Sequence, residues 1–199
     1  MKIPVDRLDE AVKFANERLL PTVRACDGSL GMSMAVNREN GSSIMVSSWK
    51  TREAMVASEP LVDGLRAEAA VLFGDDPLVG EWEIAAMHRA SPSSPESYLM
   101  VTWAKVDHGD TDAVLELYQN WALPQVQQLP GFQSSSVMVM PDLGNIVGSV
   151  SFVDRLSAEQ ARGGIDHIRR EGIMAAKGYY LDLEDFDLVI AHLDVPEYA

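Results

Sequence analysis

At 199 residues, 47% of them hydrophobic, the chain is long enough to bury a full core and to hold one or two domains. A formal charge of −14 with no basic stripe argues against partners bound through phosphates, so neither nucleic acid nor an anionic membrane surface is expected. No apolar run approaches the roughly 18 residues that cross a bilayer, and the start, MKIPVDRLDE, carries acids where a signal peptide is apolar, so the expectation is a soluble, cytoplasmic protein.

Met1 to Val5 is a short apolar lead, and Asp6 to Leu20 follows with Leu8, Ala11, Val12, Phe14, Ala15 and Leu19 at helical spacing. Pro21 predicts a kink or break. Gly31 to Val36 reads as a strand, Asn40-Gly41 as a hairpin turn and Ile44 to Trp49 as the return strand. Thr51 to Phe73 is a helix with a weak point at Glu59-Pro60, and Glu81 to His88 is a strand. SPSSPES, Ser91 to Ser97, has no periodicity and reads as a linker. Beyond it Tyr98 to Val106 is a strand apolar on both faces, and Thr111 to Leu129 is a helix with Val114, Leu117, Tyr118 and Trp121 on one stripe.

The second part repeats the first. Leu20 to Trp49 matches Leu123 to Phe152 at a shift of 103, with identities at Leu20/Leu123, Pro21/Pro124, Val23/Val126, Gly28/Gly131, Gly41/Gly144 and Ser48/Ser151 among others. A shift of 104 then pairs EWEIAAMH, Glu81 to His88, with DFDLVIAH, Asp185 to His192. The expected domains are therefore residues 1–90, with its leading strand short or missing, and residues 98–199, joined by the linker 91–97. Each half reads as the βαββαβ ferredoxin-like plan, an antiparallel sheet with helices on one face, so the fold class is α+β. Two such sheets in one chain cover each other's open faces; the alternative is pairing with another chain as a homodimer.

The run Leu123-Pro124, Val126, Pro130-Gly131-Phe132 before a strand pair, and the strand ends Trp49 to Arg52 and Phe152 to Arg155, resemble the antibiotic biosynthesis monooxygenase family. That resemblance implies the dimeric α+β barrel, here duplicated in tandem. It also implies a cofactor-independent monooxygenase acting on a small aromatic or polyketide-like compound. The alternative is a non-catalytic binder of small apolar ligands, or a haem-related barrel protein. The haem-degrading members carry an iron-ligating His about ten residues after a Trp at the strand-to-helix junction. Glu59 and Arg162 stand at that distance here, which disfavours haem chemistry.

Oxygenation without a cofactor needs an apolar pocket, a proton acceptor and donors for developing charge. His88 and His192 are the candidates for proton transfer, because both repeats place an imidazole at the same point. Strand alternation groups His192 with Phe186, Leu188 and Ile190, and His88 with Trp82, Ile84 and Ala86, so His192 is expected to end an apolar channel. Trp49, Phe152 and Trp103 are candidates to floor a pocket by stacking, although core packing is the commoner role for such residues; Tyr179 and Tyr180 could donate to a substrate oxygen. Asp63 with Arg66 and Asp166 with Arg169 read as surface ion pairs. The single Cys26 reads as a small core residue, and with no Cys/His cluster no metal is expected. The second half, richer in aromatics, is where a working pocket is expected.

Overall fold

Proline has no N–H to give to the preceding turn, and its ring crowds that turn's carbonyl. In the computed structural model, which describes residues 1–107 and 109–193, the helix meets Pro21 by widening rather than breaking. Helix α1 (Leu8–Phe14) passes through a π-helical turn, Ala15–Leu19, and resumes as α2 (Leu20–Ala25) with Pro21 in its first turn. The other half repeats this: α4 (Thr111–Leu117), a π turn at Tyr118–Ala122, then α5 (Leu123–Val126) with Pro124. Pro60 does not break α3 (Arg52–Phe73), whose buried Val62, Ala69 and Phe73 hold the helix on its core.

The strands are β1 (Ser29–Val36), β2 (Ser43–Trp49), β3 (Glu83–Arg89), β4 (Tyr98–Lys105), β5 (Phe132–Met140), β6 (Asn145–Phe152) and β7 (Tyr179–Leu193); α6 (Arg155–Ala175) precedes β7. Their pairing order is β2-β1-β7-β4-β6-β5-β3. The run β7-β4-β6-β5 is the ferredoxin-like order of the second half, and the fold is α+β, as the repeat pattern predicts. The β1–β2 hairpin stays within the first half, and the other two pairings cross between sequence halves. Strand β3 pairs with β5, and the end of β7 pairs with β1. The chain accordingly forms two compact units that differ from the sequence halves: Met1–Val79 with the end of β7 from Phe186, and Gly80–Asp185.

The first unit packs α1, α2 and α3 on β1 through Leu8, Ala15, Val23, Met32, Met34 and Phe73. The second packs α6 on β4 and β6 through Tyr98, Met100, Phe152, Ala158 and Ile165. The first half's leading strand is reduced to a single bridge, Lys2 to Ser42. The segment at 91–97 is pinned in the second unit. Ser97 Oγ, buried, donates to Gln133 Oε1 at 2.6 Å, and Gln133 Nε2 donates to the Pro92 carbonyl at 2.6 Å.

Backbone detail recurs at the shift of 103. Gly41 and Gly144 have φ of +79° and +67°, and a Cβ on either would lie 2.0 or 2.3 Å from the carbonyl oxygen of Ile3 or Val106. Thr51 caps α3 by accepting from Ala54 N–H, as Asp154 caps α6 by accepting from Ser157 N–H. Gly144→Ala is expected to cost about 2 kcal/mol, since both its φ and its space are wrong for a side chain. Gly148→Ala, where a Cβ meets nothing within 4 Å, is expected to stay within about 0.5 kcal/mol. Urea unfolding compares the two; equal losses would contradict the close-approach account.

Candidate functional site

Strand alternation holds only while the ladder is regular, and one extra residue turns every later side chain to the other face. Both strands that carry the candidate histidines contain such an interruption. In β3, Ile84 lies opposite Met138 but Ala86 lies opposite Val137; in β7, Leu188 lies opposite Ala35 but Ile190 lies opposite Met34. The bulges fall at Ala85 and Val189, equivalent positions in the repeat. Val137 and Ala86 pack in a cluster that Val114 and Tyr118 join from the helix side, while Met34 and Ile190 belong to the helix-facing core of the first unit. Both histidines therefore face the helix side. The expected single face of Phe186, Leu188, Ile190 and His192 is corrected: the first two lie on one side and the last two on the other.

The surroundings of the histidines differ from the expectation too. His192, opposite Met32, is exposed, so no apolar channel encloses its imidazole. The His88 Nε2 lies 2.7 Å from Gln127 Nε2 and its ring stacks on Phe132, with centroids 6.1 Å apart and 11° between planes. An amide nitrogen can only donate, so His88 Nε2 is the acceptor in that bond.

The aromatic candidates are divided among places. Phe152 is fully buried in the helix-facing core of the second unit, and Trp49 packs against that of the first. Trp103, opposite Val147, lies on the other face of the β4–β6 pair, with the hydroxyl pairs Ser134–Ser151 at 2.6 Å and Ser136–Ser149 at 2.7 Å. Tyr179 is exposed and Tyr180 half-buried.

What the second unit does gather is a set of buried polar atoms with no hydrogen-bond partner. Among the described residues these are Thr111 Oγ1, Tyr118 Oη, Asn145 Oδ1, Arg169 Nη2 and Tyr180 Oη, all within residues 80–185. Burial pushes the Tyr118 phenol upward, offset in part by the Ser135 hydroxyl, which stands close enough to favour the ionised phenol without meeting hydrogen-bond geometry, and burial pushes Tyr180 upward against the opposing charge of Arg169. Both hydroxyls therefore stay protonated at neutral pH and remain donors. Burial lowers Arg169 from its ordinary value, and the neighbouring Asp185 and Asp166 oppose that shift. Asp185 itself accepts from Arg162 Nη2 at 2.6 Å. Neither Tyr118 nor Arg169 stands out as a site residue in the sequence. The available signal for Arg169 is its place four residues after Ile165 and eight after Ala161, which puts it on the buried stripe of α6. Among the described residues no group of His, Cys, Asp or Glu is arranged to hold a metal, and no helix is long and apolar enough to cross a membrane.

No family model matches the chain. Among curated proteins it is 36% identical over 190 residues to the uncharacterized Mycobacterium tuberculosis protein Rv2557, covering 96% of this chain and 85% of that one. It belongs to the family of that protein. Rv2558 of the same organism, 34% identical over 191 residues and covering 96% of this chain and 81% of its own, is a second member. Among solved structures, an anthrone oxidase-like protein matches with a TM-score of 0.66 at 14% identity, over 96% of this chain and 90% of that chain. A monooxygenase-like protein from Listeria innocua matches with a TM-score of 0.52 at 12% identity, over 92% and 88%. At those identities the likeness is one of fold, and it is the fold that the family resemblance implies. Chemistry rests on the residues.

His88 and His192 should separate in a stability measurement. His88→Ala is expected to cost about 1 kcal/mol through the lost Gln127 bond, and His192→Ala to stay within about 0.5 kcal/mol. Urea midpoints read both, and a larger cost at His192 would contradict the assigned surroundings.

Proposed function

We propose that the protein is a monooxygenase-type protein, working without a cofactor on a small aromatic or polyketide-like compound bound in the second unit. The observation that supports this reading is the confinement of the partnerless buried polar atoms to that unit, since native folds otherwise satisfy such groups. A ligand with polar oxygens on an apolar frame supplies acceptors for Tyr118 and Tyr180. The two halves derive from one ancestral unit by duplication, a view the matched glycines, caps and bulges favour, and the second half has specialised.

The chemistry is balanced without a further reductant. An anthrone-like methylene gives up two hydrogens and four electrons to one O₂; one oxygen atom becomes the ring carbonyl and the other leaves as water. The protein's share is to exclude water and hold developing negative charge on the substrate oxygen, where Tyr118 and Tyr180 are donors. The rival reading is a non-catalytic binder of the same compounds. It is favoured by the exposure of His192 and the engagement of His88, which leave neither imidazole aimed at the proposed ligand.

Oxygen uptake with anthrone separates the two. Uptake with quinone formed supports the enzyme, and Tyr118→Phe is then expected to cut turnover about 10²-fold with a smaller change in KM. Saturable binding with no oxygen consumed supports the binder, and neither binding nor uptake removes both readings.

A further inference from the structure

Arg169 and its repeat twin Arg66 occupy the same point on α6 and α3, yet they are treated differently. Arg66 Nη1 meets Asp63 Oδ1 at 2.7 Å, with the carboxylate open to solvent, an ordinary surface pair. The expectation of the same for Arg169 is corrected: its side chain is 12% exposed and its Nη1 stands 3.8 Å from Asp166 Oδ1. Its Nη2 is buried with no hydrogen-bond partner among the described residues. A desolvated guanidinium costs several kcal/mol unless it is paired. The other carboxylate acting on it, Asp185, is held by Arg162. Arg170, next along the helix, is turned out to solvent beside Glu171 at 3.7 Å.

The Tyr180 hydroxyl completes the picture. It is buried, partnerless among the described residues, and within electrostatic reach of Arg169. A hydroxyl and a guanidinium could satisfy each other, and here they do not. The first half has no tyrosine in the matching stretch 74–80. Two unsatisfied donors in one neighbourhood, one of them cationic, call for a single acceptor carrying negative charge. Beside Arg169 on α6 stand Ile165 and Ile168, both buried in the unit's own core, so the surroundings of that acceptor are apolar and an apolar body suits it.

We propose that Arg169 and Tyr180 together recognise the anionic oxygen of an aryl ligand, a carboxylate or a phenolate, on the helix-facing side of the second unit. This deepens the proposed function and rests on its placement of the ligand in that unit. A ligand held there as an anion is also the electron-rich form that reacts with oxygen, so the pair selects the reactive form of the substrate.

Calorimetric titration of the full chain with benzoate, 4-nitrophenolate at pH 8.5, and neutral benzamide tests this without requiring turnover. At least one of the two anions is expected to bind about tenfold or more tightly than benzamide, the worth of one charge-assisted hydrogen bond, and which one does so identifies the oxygen. Arg169→Met should abolish that preference, Tyr180→Phe should weaken it by about threefold to tenfold, and Arg66→Met should leave it intact. Should Arg169→Met fail to fold, Arg169→Lys, which keeps the charge and loses the fork, and Tyr180→Phe carry the test by weakening the anion alone. No preference for either anion, or a preference that survives the Arg169 and Tyr180 variants, overturns the proposal. Anion binding without oxygen uptake removes the enzyme reading and leaves this one standing; uptake without anion preference does the reverse.

Discussion

The pairing of each half's last strand with the other half's sheet is the constraint on which the rest depends. Strand β3 adds to β5 and the end of β7 adds to β1, so neither compact unit is built from one continuous half. An unpaired sheet edge is a row of unsatisfied donors and acceptors, and the exchange covers one edge in each unit with hydrogen bonds from a remote part of the sequence. Strand β7, 15 residues long, belongs to both units along its length. The anchoring of residues 91–97 on Gln133 follows from the same geometry, because β3 has already placed the chain beside β5.

Within that frame the two bulges decide what faces what. Each sits just before the last ladder pairs of its strand and turns the following residues to the helix side. Bulges that recur at equivalent places serve as designed bends, and here each turns an imidazole to the helix-facing side of its own unit. The polar demand moves instead to Tyr118 and Arg169 on the helix-facing side of the second unit, with Tyr180 within electrostatic reach of Arg169. The same halves thus share backbone detail down to a π turn and two left-handed glycines, while their buried polar inventories diverge.

Much of the fold was legible in the sequence because it depends on local rules. Glycines at 28, 41, 131 and 144 mark positions of positive φ, Pro21 marks a disturbed turn, which the structure shows widened and not broken, and the apolar stripe of α1 marks its buried face. The exchange of strands was not legible, since the register of β3 against β5 is a non-local choice that periodicity cannot express. Neither were the bulges: Ile84-Ala85-Ala86 and Leu188-Val189-Ile190 are apolar throughout, so nothing in the composition shows where alternation slips. Arg169 was misread for a related reason. Arg169 and Arg66 have the same spacing to an aspartate, and only burial distinguishes an exposed pair from a guanidinium that keeps a long pair and leaves one buried nitrogen unbonded.

The claim that the second unit holds the working site is tested most directly by a crystal structure of the protein soaked with anthraquinone-2-carboxylate. The account predicts density in the second unit, with the carboxylate within hydrogen-bond distance of Arg169 Nη2 and Tyr180 Oη. Density bound only against the first unit, or an Arg169 satisfied by water alone while the ligand sits elsewhere, would contradict it.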